Sequence, residues 1–339
     1  MSASLWSNLS NAFQSPVKKL VEDVTAAAAR SPDDEGLSES LTKLKSALFD
    51  QSVSASDAAT LIVDEYPDFF PSLFRQLEKV PFEARKDLTA VFNFLLHNCG
   101  DTNIFCDYVQ GKFHDILTSM LRHIRAENPD ISLLCGSMVR SLLRYDSLYE
   151  ALLLNPTEYV FPFLDYVHLP NFDVASDAFT TLQEVLTTNK VLVAQSFLEK
   201  EGVFDEFIAK YNAMLMSQNY LTKRLSLKLL SDMLLDRVNF NTMMKYISDR
   251  RNLKISMLLL RDPSSNIQVE AFHVFKIFVA NPSKPPEIKQ ILVDNKAKLV
   301  AYLETFHVEL DQEDARFRDE KSLLIATLNG MEIDIHSQA

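Results

Sequence analysis

Residues 219–235 read NYLTKRLSLKLLSDMLL, and they contain the pattern that decides the fold. Apolar side chains recur there every three or four residues, which is typical of an amphipathic α-helix. In the middle of the segment a small residue, Ser226, is followed directly by an apolar one, Leu227. A small side chain lets a neighbouring helix approach closely, and the apolar side chain beside it fills the space between the helices. The segment therefore predicts a helix that packs on others of its kind.

The same pair of a small and an apolar residue recurs along the chain. Five segments share it, and their small residues lie 41 to 48 residues apart. The segments are Ala84–Leu96, Ile131–Leu143, Phe172–Val185, Tyr220–Leu234 and Ser265–Val279, with small residues Ala90, Ser137, Ala178, Ser226 and Ala271. A repeat of this length is the period of HEAT and armadillo arrays. We therefore predict an all-α, armadillo/HEAT-like right-handed helical-repeat solenoid, with Ala178, Ser226 and Ala271 at contacts between helices.

The helical pattern is nearly continuous between two polar ends of the chain. We predict a mobile leader over residues 1–38, with a possible short helix that begins at Pro16. A single helical-repeat solenoid follows over residues 39–330, and a frayed tail over residues 331–339. Proline pairs such as Asn155-Pro156 and Asn281-Pro282 mark turns, because the residue before a proline is biased away from helical backbone.

The composition excludes several classes of function. No two of the six glycines have the spacing of a GxGxxG motif or a P-loop, which excludes those nucleotide-binding folds. The 34 basic and 46 acidic residues give a net charge of −12, which repels phosphate backbones, so no nucleic-acid partner is predicted. No apolar run approaches the roughly 18 residues that span a bilayer, so no membrane partner is predicted. Three cysteines without a disulfide pattern favour a cytoplasmic protein with reduced thiols.

Residues that could carry catalysis are few and scattered. The only compact group of histidine and cysteine is His97, Cys99 and Cys106, whereas a zinc site usually has four ligands at a characteristic spacing. Signatures of hydrolases, metalloproteases and kinases do not occur in the sequence. We predict no enzyme activity, no cofactor and no metal. An enzyme, as the rival interpretation, would have to use His97 and Cys99.

The helix predicted over 219–235 carries an unusual polar stripe. At 100° per residue, one narrow side of this helix holds Tyr220, Arg224, Lys228 and Ser231. The adjoining apolar seam, which must face the core, holds Leu227, Leu230 and Leu234. An aromatic ring beside two cations suits an acidic or carboxylate-bearing partner. The alternative is that Arg224 and Lys228 are ordinary solvated residues, paired at most with Asp232 or Asp236.

The same helix resembles the signature of the mouse-protein-25 scaffold family, also called calcium-binding-protein-39-like. The resemblance is carried by Asn219–Leu230, with further matches at Phe172–Phe179, Leu234–Phe240, Asn266–Lys276 and Phe278–Pro282, and a weaker one at Phe82–Asp87. It covers roughly residues 82 to 306. Members of that family are helical-repeat proteins without catalytic activity.

The resemblance implies a specific partner. It implies a crescent whose concave face binds a protein kinase or pseudokinase of the germinal-centre type and stabilises its active conformation. In animals the same complex includes a further kinase, the liver tumour-suppressor kinase, and in fungi relatives serve cell-polarity and septation kinases. The family's concave-face contact positions match Phe172, Tyr220, Arg224, Lys228, Arg237, Phe240 and Met257. The resemblance therefore implies a cytoplasmic signalling scaffold and kinase activator.

Two further expectations concern peptide binding. The family has a pocket near its C-terminal end for a short Trp-Glu-Phe tail of the partner, but Pro285, Pro286, Glu287 and Asp294 depart from its pattern, so no pocket residues are predicted. The alternative function is that of a generic armadillo-type peptide-binding adaptor. Such adaptors often display ladders of asparagine and tryptophan, whereas Trp6 is the only tryptophan here.

Overall fold

The protein is helical throughout the part of the chain that the structure describes. The structure, a computed structural model, describes residues 16–32, 35–98, 104–125 and 128–332. Those ranges contain no β-strand, which confirms the all-α prediction. The chain falls into two compact units, Met1–Phe197 and Leu198–Ala339.

The helices of the described residues are as follows. In the first unit they are α1 (Pro16–Arg30), α2 (Glu35–Phe49), α3 (Ala55–Glu65), α4 (Phe69–Arg75), α5 (Phe82–Asn98), α6 (Ile104–Gly111), α7 (Phe113–Ile124), α8 (Pro129–Leu142), α9 (Asp146–Leu154), α10 (Pro156–Tyr159), α11 (Phe161–Tyr166), α12 (Phe172–Thr187) and α13 (Lys190–Val193). A π-helical turn, Ala194–Leu198, follows. In the second unit they are α14 (Val203–Leu215), α15 (Tyr220–Leu235), α16 (Phe240–Ile247), α17 (Arg250–Leu259), α18 (Ser265–Ala280), α19 (Pro286–Asp294), α20 (Lys296–Thr305), α21 (Leu310–Glu313) and α22 (Ala315–Asn329), with a 3₁₀ turn at Arg237–Asn239. No helix among these has both the length and the apolar character needed to cross a bilayer.

The repeat helices pack on each other in chain order within each unit. In the first unit α2 packs on α5, α5 on α8 and α8 on α12; in the second, α15 packs on α18 and α18 on α22. The five predicted repeat segments correspond to α5, α8, α12, α15 and α18. Ala178, Ser226 and Ala271 are at most 1% exposed, which confirms that these small residues lie at contacts between helices. Ala90 and Ser137 are half-buried.

Side-chain hydrogen bonds between elements follow the same period. Tyr108 Oη donates to Pro67 O over 3.0 Å, and Tyr166 Oη donates to Leu121 O over 3.0 Å. The paired residues are 41 and 45 residues apart. Each of these bonds therefore joins one repeat to the next, and it satisfies a carbonyl that would otherwise be left without a partner at a helix end or a turn.

The N-terminal helix pair belongs to the packed part of the first unit. Val17, Val21 and Val24 recur every three or four residues along α1 and are buried, and α1 packs on α2. The short helix predicted to begin at Pro16 is therefore present, as α1, and it is packed. The predicted boundary between leader and solenoid, at residue 39, lies inside α2. The single solenoid stays a prediction. Residues 1–15 of the predicted leader and residues 333–339 of the predicted tail lie outside the described residues.

Gly136 gives a direct test of the packing of α8 on α12. A Cβ at this position would lie 2.0 Å from Asp177 Oδ2, and Asp177 is held by Arg140 at an N–O distance of 2.8 Å. We expect Gly136→Ala to displace the Asp177 carboxylate and to be less stable than a matched control by about 1–3 kcal/mol. The control is Gly111→Ala at the end of α6, because its Cβ meets nothing within 4 Å. Urea denaturation measures both, and equal free energies of unfolding would contradict this packing.

Candidate partner-binding surface

The start of α15 is set by its capping residue. The Asn219 side chain accepts hydrogen bonds from the backbone N–H groups of Leu221 (2.9 Å) and Thr222 (3.2 Å), so the helix begins at Tyr220. The predicted apolar seam is confirmed, because the seam residues are at most 2% exposed: Leu227, Leu230 and Leu234. With the seam buried, the adjoining side of α15 is the one that can face solvent.

Three of the four predicted stripe residues are exposed on that side. They are Tyr220, which is 46% exposed, Arg224 and Lys228. Ser231 was predicted on the same stripe but is buried, with 4% exposure. Ser231 lies four residues after the buried Leu227, so it belongs to the edge of the seam rather than to the exposed stripe. The exposed stripe therefore consists of Tyr220, Arg224 and Lys228.

The ring of Tyr220 is anchored by the neighbouring repeat helix. Asn266 Nδ2, in the first turn of α18, donates a hydrogen bond to Tyr220 Oη over 3.1 Å. This bond favours the phenolate and lowers the pKa of Tyr220, and the charge of Arg224 acts in the same direction. Asn266 thus fixes the aromatic part of the stripe, a role that the residue pattern of α15 alone could not reveal.

The two cations of the stripe are free to meet a partner. Among the described residues, neither Arg224 nor Lys228 has a carboxylate within 4.0 Å, so pairing with Asp232 or Asp236 does not occupy them. Glu270 on α18 faces both cations at a longer range. Burial raises the pKa of Glu270, whereas the positive charges of Lys228 and Arg224 lower it.

The C-terminal end of α15 adds an apolar part to this surface. The Asp236 side chain accepts from Val238 N over 3.0 Å, and the buried Asn239 donates to Met233 O over 3.0 Å. These bonds hold a turn that leaves Arg237 and Phe240 exposed, Phe240 to 59%. An exposed aromatic residue beside a cation is typical of interaction surfaces.

Sequence reasoning missed two apolar residues at the same turn. Leu235 is 52% exposed and Val238 is 40% exposed. The signal was present, because Leu235 is the last residue of α15 and lies outside the seam of Leu227, Leu230 and Leu234. Leu235, Val238 and Phe240 together form what we call the apolar turn.

Met257 lies in a different setting from the stripe. It is half-buried on α17 and lines a cavity of about 720 Å³ between α17, α19 and α20. The apolar lining includes Leu258, Ile291, Leu299 and Tyr302. The charged lining consists of three cations and one carboxylate, namely Lys254, Arg261, Lys298 and Asp294. A cavity with this volume and mixed lining can take a few side chains of a peptide.

Phe172 belongs to the first unit. It is the first residue of α12 and is 65% exposed. The Asn171 side chain caps this helix by accepting from the backbone N–H groups of Asp173 (3.0 Å) and Val174 (3.1 Å). The ring is therefore presented at the start of a repeat helix, as Tyr220 is in the second unit.

Comparison with known proteins assigns the family. A family model described as Mo25-like matches residues 6–332. The chain belongs to the Mo25-like family. It is 43% identical to human calcium-binding protein 39-like over 77% of this chain and 75% of that protein. It is 32% identical to the conidiophore development protein hymA of Emericella nidulans, over 91% of this chain and 87% of that protein.

Membership of the Mo25-like family confirms the resemblance predicted from Asn219–Leu230 and supports a scaffold role. Among solved structures, the chain is similar to a designed armadillo repeat protein in complex with the peptide (KR)4. The identity is 12%, the TM-score is 0.42, and the match covers 78% of this chain and all of that one. The repeat architecture is therefore inferred from the helix packing within each unit, and not from this low TM-score.

The rival enzyme interpretation depends on His97 and Cys99, and Cys106 lies near them in the sequence. In this Mo25-like chain the His97 ring stacks on Tyr145, with His97 Nδ1 2.8 Å from Tyr145 Oη, and burial together with Arg144 lowers the pKa of His97. Cys99 lies outside the described residues. Burial raises the pKa of Cys106 to about 11, which makes its thiol a poor nucleophile. The described residues contain no group of three or more histidine, cysteine or acidic side chains that could hold a metal ion.

Proposed function

We propose that this Mo25-like protein is a non-catalytic scaffold that binds a protein kinase or pseudokinase of the germinal-centre type. The observation that carries the proposal is the surface of the second unit of this acidic protein. Exposed aromatic rings lie there beside cations that have no carboxylate within 4.0 Å among the described residues. Arg224 offers a planar, bidentate donor to a partner carboxylate, and Phe240 offers an apolar anchor. Tyr220 combines both kinds of contact, because its ring is apolar and its hydroxyl is polar.

The proposed mechanism is a shift of the partner's conformational population. A kinase alternates between active and inactive arrangements, and a scaffold that binds only the active one raises its share. A hundredfold preference corresponds to about 2.7 kcal/mol. The scaffold does not need to approach the phosphates, so the proposal requires no catalytic residue in this chain.

The cavity beside Met257 fits a second contact with the same partner. The family's Trp-Glu-Phe tail needs an apolar floor for two rings and cations for two carboxylates, those of its glutamate and its C-terminus. Met257 and Leu299 provide the apolar floor, and Lys254 and Lys298 provide cations in the same lining. Asp294 adds a carboxylate to the same lining, which disfavours tails with further acidic residues.

A morphogenetic role is part of the proposal. The Emericella nidulans relative is named for conidiophore development. We extend this to the present chain as support of a cell-polarity kinase pathway, acting in the cytoplasm where kinases meet their substrates. The alternative, a generic armadillo-type peptide adaptor, predicts binding of linear peptides alone.

Titration of the purified protein with a folded germinal-centre kinase or pseudokinase domain tests the function. We expect a complex, and with an active kinase a rise in substrate phosphorylation that saturates at one scaffold per kinase. A panel of linear peptides from the same domain serves as the comparison. Binding to the peptides without any effect on the folded kinase would favour the adaptor, and no binding to a panel of such kinases would contradict the proposal.

Charge reversal at Lys228 should act mainly on the rate of association. Lys228 is exposed and unpaired within the described residues, so it contributes to attraction at a distance rather than to the packing of α15. We expect Lys228→Glu to slow association with the kinase severalfold, and more strongly at low salt, because ions screen exposed charges. Stopped-flow measurements at two ionic strengths check this. Lys79→Glu in the first unit changes the net charge equally and should slow association less.

A further inference from the structure

The turn between α17 and α18, residues 260–264, is held from three sides. Lys223 Nζ on α15 forms an ion pair with Asp262 Oδ2 over 2.8 Å. Gln268 Nε2 on α18 donates to Asp262 O over 2.7 Å. Tyr302 Oη on α20 donates to Leu260 O. Three separate helices therefore fix the position of one short turn.

The ion pair at the centre of this turn is shielded from solvent. The side chains of Lys223 and Asp262 are 20% and 11% exposed. Asp262 Oδ1 also accepts from Ser264 N over 2.9 Å, which fixes the direction of the carboxylate. A partly buried pair that is fixed in this way is screened less by solvent than a surface pair. The ion pair therefore gives the turn and α15 a contact of fixed geometry.

The same turn contacts both candidate binding surfaces. Lys223 lies between Tyr220 and Arg224 in the sequence of α15, and Asn266, just beyond the turn, holds Tyr220 Oη. On the other side of the turn, Leu260 and Arg261 line the cavity. Tyr302 lines the cavity as well, and it holds the turn by the bond to Leu260.

We propose that Asp262 is a positioning residue that couples the cavity to the stripe. A ligand in the cavity adds contacts to Leu260 and Arg261, which favours the arrangement of the turn in which Asp262 pairs with Lys223. Asp262 in turn fixes Lys223 and the first turn of α15, which carries Tyr220 and Arg224. A partner on the stripe favours the same arrangement of α15, so each ligand raises the affinity for the other. The coupling is reciprocal, because each ligand changes the affinity for the other by the same factor.

This inference rests on the proposed function, and its test uses two separate probes. One is the germinal-centre kinase domain without its C-terminal tail, and the other is a synthetic peptide that ends in Trp-Glu-Phe. Calorimetry gives the affinity for the kinase domain with and without saturating peptide. We expect the peptide to raise the affinity of the wild-type protein at least about fivefold, the lower end of typical couplings. The kinase domain should raise the affinity for the peptide by the same factor.

Asp262→Asn is the informative variant. The amide oxygen of asparagine can still accept from Ser264 N, but the negative charge opposite Lys223 is lost. We expect the mutual enhancement to fall below about twofold. The matched control is Lys276→Gln, which removes an ion pair of 2.7 Å with Glu320 between α18 and α22, away from the stripe and the cavity. Lys276→Gln should keep the full enhancement even where its melting temperature falls as much as that of Asp262→Asn.

The possible results separate the inference from the proposed function. If both probes bind the wild-type protein but do not affect each other, the coupling is absent while the scaffold function stands. Loss of the enhancement in Lys276→Gln as well would mean that it follows global stability, and the role of Asp262 would be rejected. Failure of the peptide alone to bind also overturns the inference, whereas failure of both probes overturns the proposed function itself.

Discussion

Replacing Leu227 by alanine should lower the free energy of unfolding by about 2–5 kcal/mol. Leu227 is fully buried in the seam of α15, directly after the buried Ser226, where α15 packs on α18. The change removes three heavy atoms and leaves a cavity between two repeat helices that cannot close without a shift of the helices. Denaturation in urea, followed by circular dichroism, measures the loss.

Leu235→Ala is the matched control for this prediction. Leu235 lies on the same helix and loses the same atoms, but it is 52% exposed. We expect its free energy of unfolding to change by no more than about 0.5 kcal/mol, as for most surface substitutions. Equal losses for the two leucines would mean that α15 does not bury the predicted side.

The repeat helices could be predicted from the sequence because close packing restricts which residues are allowed. A small residue followed by an apolar one, as at Ala178 and Phe179, is needed wherever two repeat helices meet. The bonds that join the repeats could not be predicted. Arg140 contacts Asp177 and Tyr166 contacts the carbonyl of Leu121 across 37 to 45 residues. Such pairs depend on the rotation of each helix, which the period does not specify.

The candidate site, like the fold, could be predicted only in part from the sequence. Periodicity correctly placed Tyr220, Arg224 and Lys228 on the exposed side of α15, because a buried seam determines what faces solvent. It was wrong for Ser231, which is buried beside Leu227 at the edge of the seam. The resemblance, not the period, implied the remaining contact positions, namely Phe172, Arg237, Phe240 and Met257. All seven positions stay predictions as partner contacts. The apolar turn and the cavity arise where elements end, and there helical periodicity carries no information.

Arg224→Ala and Phe240→Ala should each weaken binding of the germinal-centre kinase by about 2 kcal/mol or more, which is about thirtyfold in affinity. Arginine and aromatic side chains dominate interface energetics when a partner removes them from water. Both residues are exposed in the free protein, Phe240 to 59%, and neither contributes to the seam of α15. The melting temperature should therefore stay within about 2 °C of the wild-type value.

The comparison of affinity with melting temperature makes this prediction decisive. Arg318→Ala and Leu323→Ala on α22 remove exposed side chains outside the stripe and the apolar turn, and they should leave affinity unchanged. A general effect of surface charge or apolar area would weaken all four variants alike. Loss of affinity together with a lower melting temperature would instead indicate that Arg224 or Phe240 supports the fold. If Arg224→Ala and Phe240→Ala bind the kinase as the wild-type protein does, this surface is not where the partner binds, because an interface centred on it cannot lose both anchors without cost.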